Sequence, residues 1–164
     1  MLYREFYVPL YLLCRRIFNN DHDSVEAVND GMLKVFKNIG NFQQEKGRLF
    51  NWIYTIVRNT ALDKFRTIQT IPARPALEDL GETIPDKDPG QNPINSLEEK
   101  DIYILLDGLN PATRVVCTLF YLEGYPVRDI AEKLGISEGT VKWHCSEARK
   151  KLRPIFERHL NESS

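Results

Sequence analysis

Residues Gly124–Pro154 read GYPVRDIAEKLGISEGTVKWHCSEARKKLRP. Val127, Ile130, Ala131 and Leu134 recur at the spacing of one helical face. Gly135 ends that short helix, because a residue without Cβ takes up the left-handed conformation cheaply. Ser137 then suits the N-cap of a second helix, its hydroxyl placed to accept the free N–H of Thr140. This second helix is expected from about Glu138 to Arg153, with Val141, Cys145, Ala148 and Leu152 facing inward. Two helices joined by so short a turn form a helix-turn-helix.

From Gly139 to Arg153 the second helix is charged in one direction: Lys142, Arg149, Lys150, Lys151 and Arg153 stand against Glu147 alone. Its first turns bring Ser137, Gly139, Thr140, Lys142, Trp143, His144 and Ser146 together, small and hydrogen-bonding groups of the kind that read base edges. Arg149 and Lys150 follow, and cations there set position and affinity through phosphates. A basic helical face can also be merely solvated. The preceding helix, the tight turn and the serine cap favour duplex DNA.

Working outward, the chain has 164 residues, 42% hydrophobic and 27% charged, with a net charge of −1, so a uniformly basic nucleic-acid coat is excluded and DNA contacts must be local patches. Cys14, Cys117 and Cys145 are widely spaced, each within an apolar helical pattern, and read as buried free thiols of a cytoplasmic protein. No cysteine or histidine cluster has metal-ligand spacing, so no metal or cofactor is expected. No apolar run approaches the length of a membrane span, and Leu10–Cys14 is too short for a signal-peptide core.

Towards the N-terminus, residues 1–19 read as a helix with Leu2, Phe6, Leu10, Leu13, Cys14 and Ile17 on one face and a kink at Pro9. After a polar break at 19–23, a second helix is expected from Ser24 to Ile39, burying Val25, Val28, Met32, Val35, Phe36 and Ile39. Gly40 stops it. A loop leads to a third helix, Arg48 to Ile68, with Leu49, Trp52, Ile53, Ile56, Val57 and Phe65 buried. Its other face carries Asn51, Thr55, Arg58, Asn59 and Arg66, with Tyr54 and Lys64 on the flank. Aromatic rings among cations and amides suit a single-stranded nucleic acid, whose bases stack while its phosphates meet lysine and arginine.

Residues 70–95 form a linker holding Pro72, Pro75, Pro85, Pro89 and Pro93. Ser96 and Glu99 make a capping box for a helix ending at Gly108. Asn110 and Pro111 open the next helix, which ends at Gly124. The fold class is therefore all-α: a three-helix domain over 1–69, a proline-rich linker over 70–95 and a four-helix domain over 96–164 containing the helix-turn-helix.

The stretch from Asn110 to Arg153 resembles region 4 of bacterial sigma factors of the extracytoplasmic-function (ECF) type, within the sigma-70 family. DSVEAVNDGMLKVFKNI and GRLFNWIYTIVRNTALDKFR, in the N-terminal part, resemble region 2 of the same family. The two stand in the family's order. The resemblance implies that Glu26, Asn29, Asp30 and Lys34 meet core RNA polymerase, with Asn29 and Met32 departing from the family's glutamine and aromatic residue. It implies that Trp52, Asn59 and Asp63 match the family's tryptophan and Asn-x-x-x-Asp motif, with Arg66 following. Asn59 and the loop Phe42–Phe50, including Lys46 and Arg48, would hold a flipped base of the −10 element. The recognition helix would read the −35 element as duplex. Pro126 replaces a frequent serine cap. The family also leads one to expect more chain ahead of the first helix, as a trimmed start would give. The implied partners are core RNA polymerase, promoter DNA and an anti-sigma factor, with no small-molecule substrate.

A response-regulator-like DNA-binding regulator is the alternative, and it leaves the basic, aromatic helix at 48–68 unexplained. An enzyme is disfavoured, since no nucleophile–base set, phosphate loop or metal cluster is present; His22-Asp23 reads as part of a helix cap.

Overall fold

Helices account for almost everything in the computed structural model, which describes residues 2–71 and 98–162. The contacts divide the chain into two units, Met1–Ile68 and Gln69–Ser164. The prolines of the expected linker and the capping serine Ser96 lie outside the described residues.

The first unit holds α1 (Leu2–Phe18), α2 (Asp21–Asn38) and α3 (Leu49–Ile68). The turn between α1 and α2 is built by two asparagines. Asn19 takes the left-handed conformation, φ 59°, which its short polar side chain tolerates. Asn20 caps α2, accepting the Asp23 N–H at 2.8 Å. Hence α2 starts before the expected Ser24, and Asp21 and Asp23 fall in its first turn, where carboxylates favour the helix dipole. Leu10, Leu13, Cys14 and Ile17 of α1 join Val28, Met32 and Val35 of α2 and Ile53, Val57, Ala61 and Phe65 of α3 in the core. Gly31 lets α2 approach α3 closely: a Cβ there would lie 2.8 Å from Val57 Cγ2 and 2.9 Å from Val57 Cα. Phe36 and Ile39, expected in the buried stripe, are instead 52% and 44% exposed. With Gly31 and Val35 turned to α3, the helix has rotated past the point where Phe36 could follow.

The second unit holds α4 (Glu99–Asp107), α5 (Pro111–Cys117), α6 (Val127–Leu134) and α7 (Glu138–Glu162). Asn110 caps α5 by accepting the Thr113 N–H at 2.9 Å, with Pro111 in the first turn. α5 continues as a π-helical segment, Thr118–Leu122. Gly135 closes α6 at φ 68°, and Ile136 N–H reaches back to the Ala131 carbonyl at 3.0 Å, the pairing of a Schellman stop. Leu105, Leu106, Leu109, Cys117, Ala148 and Leu152 form one buried cluster. Val127, Ile130, Leu134 and Val141 are buried where α6 meets α7. α7 does not end at Arg153 as expected but runs through Pro154 to Glu162. Pro154 is exposed, so the Lys150 carbonyl that its ring deprives of a partner can be hydrated.

Candidate nucleic-acid interface

Between α2 and α3 the chain makes two single-turn 3₁₀ helices, Ile39–Asn41 and Gln44–Lys46, and Gly47 then turns at φ 138°, outside the reach of most side chains. The loop folds over the start of α3 and leaves an open cavity of about 460 Å³. Phe42 and Trp52 form its aromatic wall, ring centroids 5.4 Å apart and planes at 52°. Asn41, Gln43, Asn51 and Thr55 supply amide and hydroxyl groups around it, and Lys46 and Arg48 supply charge. Apolar rings beside hydrogen-bonding amides and two cations suit an unstacked nucleobase with its phosphate.

The residues expected to touch single strand therefore divide. Phe42, Lys46, Arg48, Asn51 and Thr55 line the cavity, and so does Trp52, which periodicity alone assigns to the core. Asn59 does not line it; it is exposed one helical turn beyond Thr55. Tyr54 and Arg58 are engaged elsewhere. Phe6 of α1 meets Phe50 at 5.1 Å, Phe50 meets Tyr54 at 5.7 Å, and the Arg58 guanidinium lies 5.8 Å from the Tyr54 ring centre. That ladder fastens α1 to α3, and its rings are half-buried. Arg66 is exposed in the last turn of α3.

In the second unit, Ser137 Oγ accepts the Thr140 N–H at 3.1 Å, and the cap is as the sequence indicates. Gly139, Lys142, Trp143 and Arg149 are half-exposed, and Lys150 is exposed with Nζ 3.4 Å from Glu147 Oε1. Three expected contact residues are not on the surface: Thr140, His144 and Ser146 are only 4%, 2% and 3% exposed. Thr140 turns its hydroxyl to Ser137 Oγ at 2.9 Å. His144 faces α5, its Nδ1 2.9 Å from Thr113 Oγ1, and burial pulls the imidazole down to about 4. It is a neutral latch between α5 and the recognition helix. Burial pushes the Tyr121 hydroxyl up to about 12, against the nearby Arg149 guanidinium, whose charge favours the ionised form.

The remaining expected surface is on α2. Glu26, Asn29, Asp30 and Lys34 are exposed together, with Leu33 57% exposed among them. A groove of about 380 Å³ runs beside them, walled by Asp30, Leu33, Lys34 and Lys37 of α2 and by Thr60, Asp63, Lys64 and Thr67 of α3. Lys64, on sequence grounds only a flanking residue, pairs with Glu26 at 2.9 Å and approaches Asp30 at 4.0 Å.

His22, Asp23 and Glu26 bring ligand atoms within 4.8 Å of one another. The donor set does not fit a cation. Asp23 accepts from Asn20 at 2.9 Å, Glu26 is taken by Lys64, and His22 and Asp23 stand at the positive end of α2. The three cysteines are buried, with Cys14 and Cys117 pushed up to about 12 and Cys145 also raised, in each case first by burial. Among the described residues no helix is long and apolar enough to cross a membrane.

Comparison with known proteins agrees with the division into units. Residues 2–70 match the Sigma-70 region 2 model and residues 100–152 the Sigma-70 region 4 model. Over 165 residues the chain is 28% identical to the ECF RNA polymerase sigma factor SigE of Mycolicibacterium smegmatis, which covers 99% of this chain and 63% of that protein. It is 30% identical over 160 residues to the ECF RNA polymerase sigma-E factor of Haemophilus influenzae, with 88% and 82% covered. Among solved structures, the sigma factor RpoE of Bartonella quintana, crystallised in complex with the anti-sigma factor NepR, superimposes with a TM-score of 0.54 at 19% identity, covering 95% of this chain and 94% of that one. At that identity the likeness is one of fold.

Proposed function

The chain belongs to the sigma-70 family as an ECF-type sigma factor, and from that premise we propose that it docks on core RNA polymerase through α2, holds a melted −10 base in the α2–α3 loop cavity, and reads a −35 duplex with α7. The observation that carries this reading is the cavity: aromatic rings, amides and cations converge within the unit that matches region 2. A duplex-binding regulator has no use for such a site. Within it, Asn41, Gln43 and Asn51 can address the edge of an extruded base while Phe42 and Trp52 contact its face. Lys46 and Arg48 then meet the backbone, offsetting part of the few kcal/mol that unstacking costs, roughly. In the second unit, Lys142, Trp143 and Gly139 face the groove, while Arg149 and Lys150 meet phosphates. The buried His144, Thr140 and Ser146 shape the helix instead of touching DNA.

The protein is assigned no chemistry of its own, and it works in the cytoplasm, where polymerase and chromosome are. An anti-sigma factor is its proposed regulator, by analogy with the complex of the Bartonella protein. The test separates strand capture from duplex recognition. Asn51→Ala should lower open-complex formation, read by permanganate reactivity of unpaired thymines, and leave −35 duplex binding unchanged. Asn59→Ala should have the smaller effect. Equal losses in both assays for Asn51→Ala would remove the cavity from promoter melting.

A further inference from the structure

Glu26 and Asp30 have side chains 49% exposed on α2, yet neither carboxylate faces outward unopposed. Lys64 comes across from α3, with Nζ 2.9 Å from Glu26 Oε1 and 4.0 Å from Asp30 Oδ2. Its own side chain is only 16% exposed. The aliphatic stem therefore lies in the groove, near Thr60 and Thr67, and the ammonium reaches both acids from the protein side. The other Glu26 oxygen has His22 Nε2 at 3.6 Å. A cation brought by a docking partner meets carboxylates that already have one.

We propose that Lys64 is an internal competitor for the basic groups of the partner that docks on α2. It holds the two carboxylates side by side in the free protein and must share or release them on docking. This rests on the reading of α2 as the polymerase surface. The charge layout narrows where those basic groups land. Lys34 and Lys37 of α2 line the same groove and repel them, while Leu33 offers an apolar contact and Asp63 of α3 adds a further carboxylate to the wall next to Lys64. The partner's cations are thus drawn to the acids around Lys64, Glu26 and Asp30 foremost.

Lys64→Met keeps the stem and removes the charge. Exchange of one half-exposed ion pair for another corresponds to about two- to five-fold in affinity. Core polymerase binding is measured for wild type, Lys64→Met, the double variant Glu26→Gln/Asp30→Asn, and the triple variant, from low to high salt. Lys64→Met should bind about two- to five-fold more tightly at low salt, with the gain closing as salt screens it. In the Glu26→Gln/Asp30→Asn background the gain should vanish, which a purely structural role for Lys64 would not produce. If the double variant binds less tightly than wild type but Lys64→Met binds no tighter, the proposal is overturned alone. If the double variant binds like wild type, the docking surface and the proposal fall together.

Discussion

Replacing Gly31 by alanine sets two effects of opposite sign against each other. In a solvated helix the change stabilises by roughly 1 kcal/mol, because glycine gives up more conformational freedom on folding. Here the new methyl would meet Val57 Cγ2 at 2.8 Å and Val57 Cα at 2.9 Å. The Val57 side chain can rotate, but its Cα is fixed by the hydrogen bonds of α3. Carbon atoms rest at about 3.5–4.0 Å, so α2 must retreat from α3 by roughly 0.6–1 Å. Overpacking of this kind costs about 1–3 kcal/mol, which exceeds the propensity gain at most of that range. The net expectation is a loss of about 1 kcal/mol, with Gly31→Val losing more. Urea denaturation followed by Trp52 fluorescence, with Trp143→Phe as background so that only the first unit is reported, should show the midpoint falling by about 0.3–1 M at an unchanged slope. A rise of the midpoint in Gly31→Ala would mean that the two helices are not in contact at this point, and the register that brings Lys64 to Glu26 would lose its support.

Lowering the pH should destabilise the second unit through His144. The folded protein holds the imidazole neutral with a pKa of about 4 against an ordinary 6.5, so this contribution is full above pH 6.5 and is lost as pH falls towards 4. Between pH 6.5 and 5 the loss is about 1.5 kcal/mol, visible as a falling denaturation midpoint by Trp143 fluorescence; His144→Gln should flatten that slope, and an equal slope in the variant would refute the assignment. Lys150→Ala should weaken −35 duplex binding and reduce its salt slope by about one, as titrations at several salt concentrations would show. The buried thiols should react with a thiol reagent at pH 8 only as fast as the protein opens, and rapidly in denaturant; fast labelling of native protein would contradict their burial.

Where a local rule and a tertiary demand agree, the sequence is readable here. Ser137, Gly135, Asn110 and Pro111 each act through the backbone within a few residues, and each takes its expected place. The exposure of Phe36 was not readable, because which of two neighbouring apolar residues turns inward depends on how closely Gly31 lets α2 approach α3. The same limit applies to the recognition helix. His144 and Thr140 look polar and available in one dimension, but His144 has its partner on α5, 31 residues away. The cavity was half legible: the cations and amides stood out, whereas Trp52 has a helical spacing indistinguishable from core until Phe42 folds back beside it. Pro154 reads as a stop because proline lacks a donor, yet at an exposed position water can satisfy the carbonyl it strands.

The most direct measurement adds the purified chain to core polymerase on supercoiled templates carrying candidate paired −35 and −10 elements upstream of a terminator, and reads both the terminated transcript and permanganate-reactive thymines. Initiation and melting at the −10 element are expected on at least one template only when both chain and core are present, with melting reduced in Asn51→Ala. Site-specific duplex binding by the chain alone, with no polymerase recruited to any promoter, would contradict it.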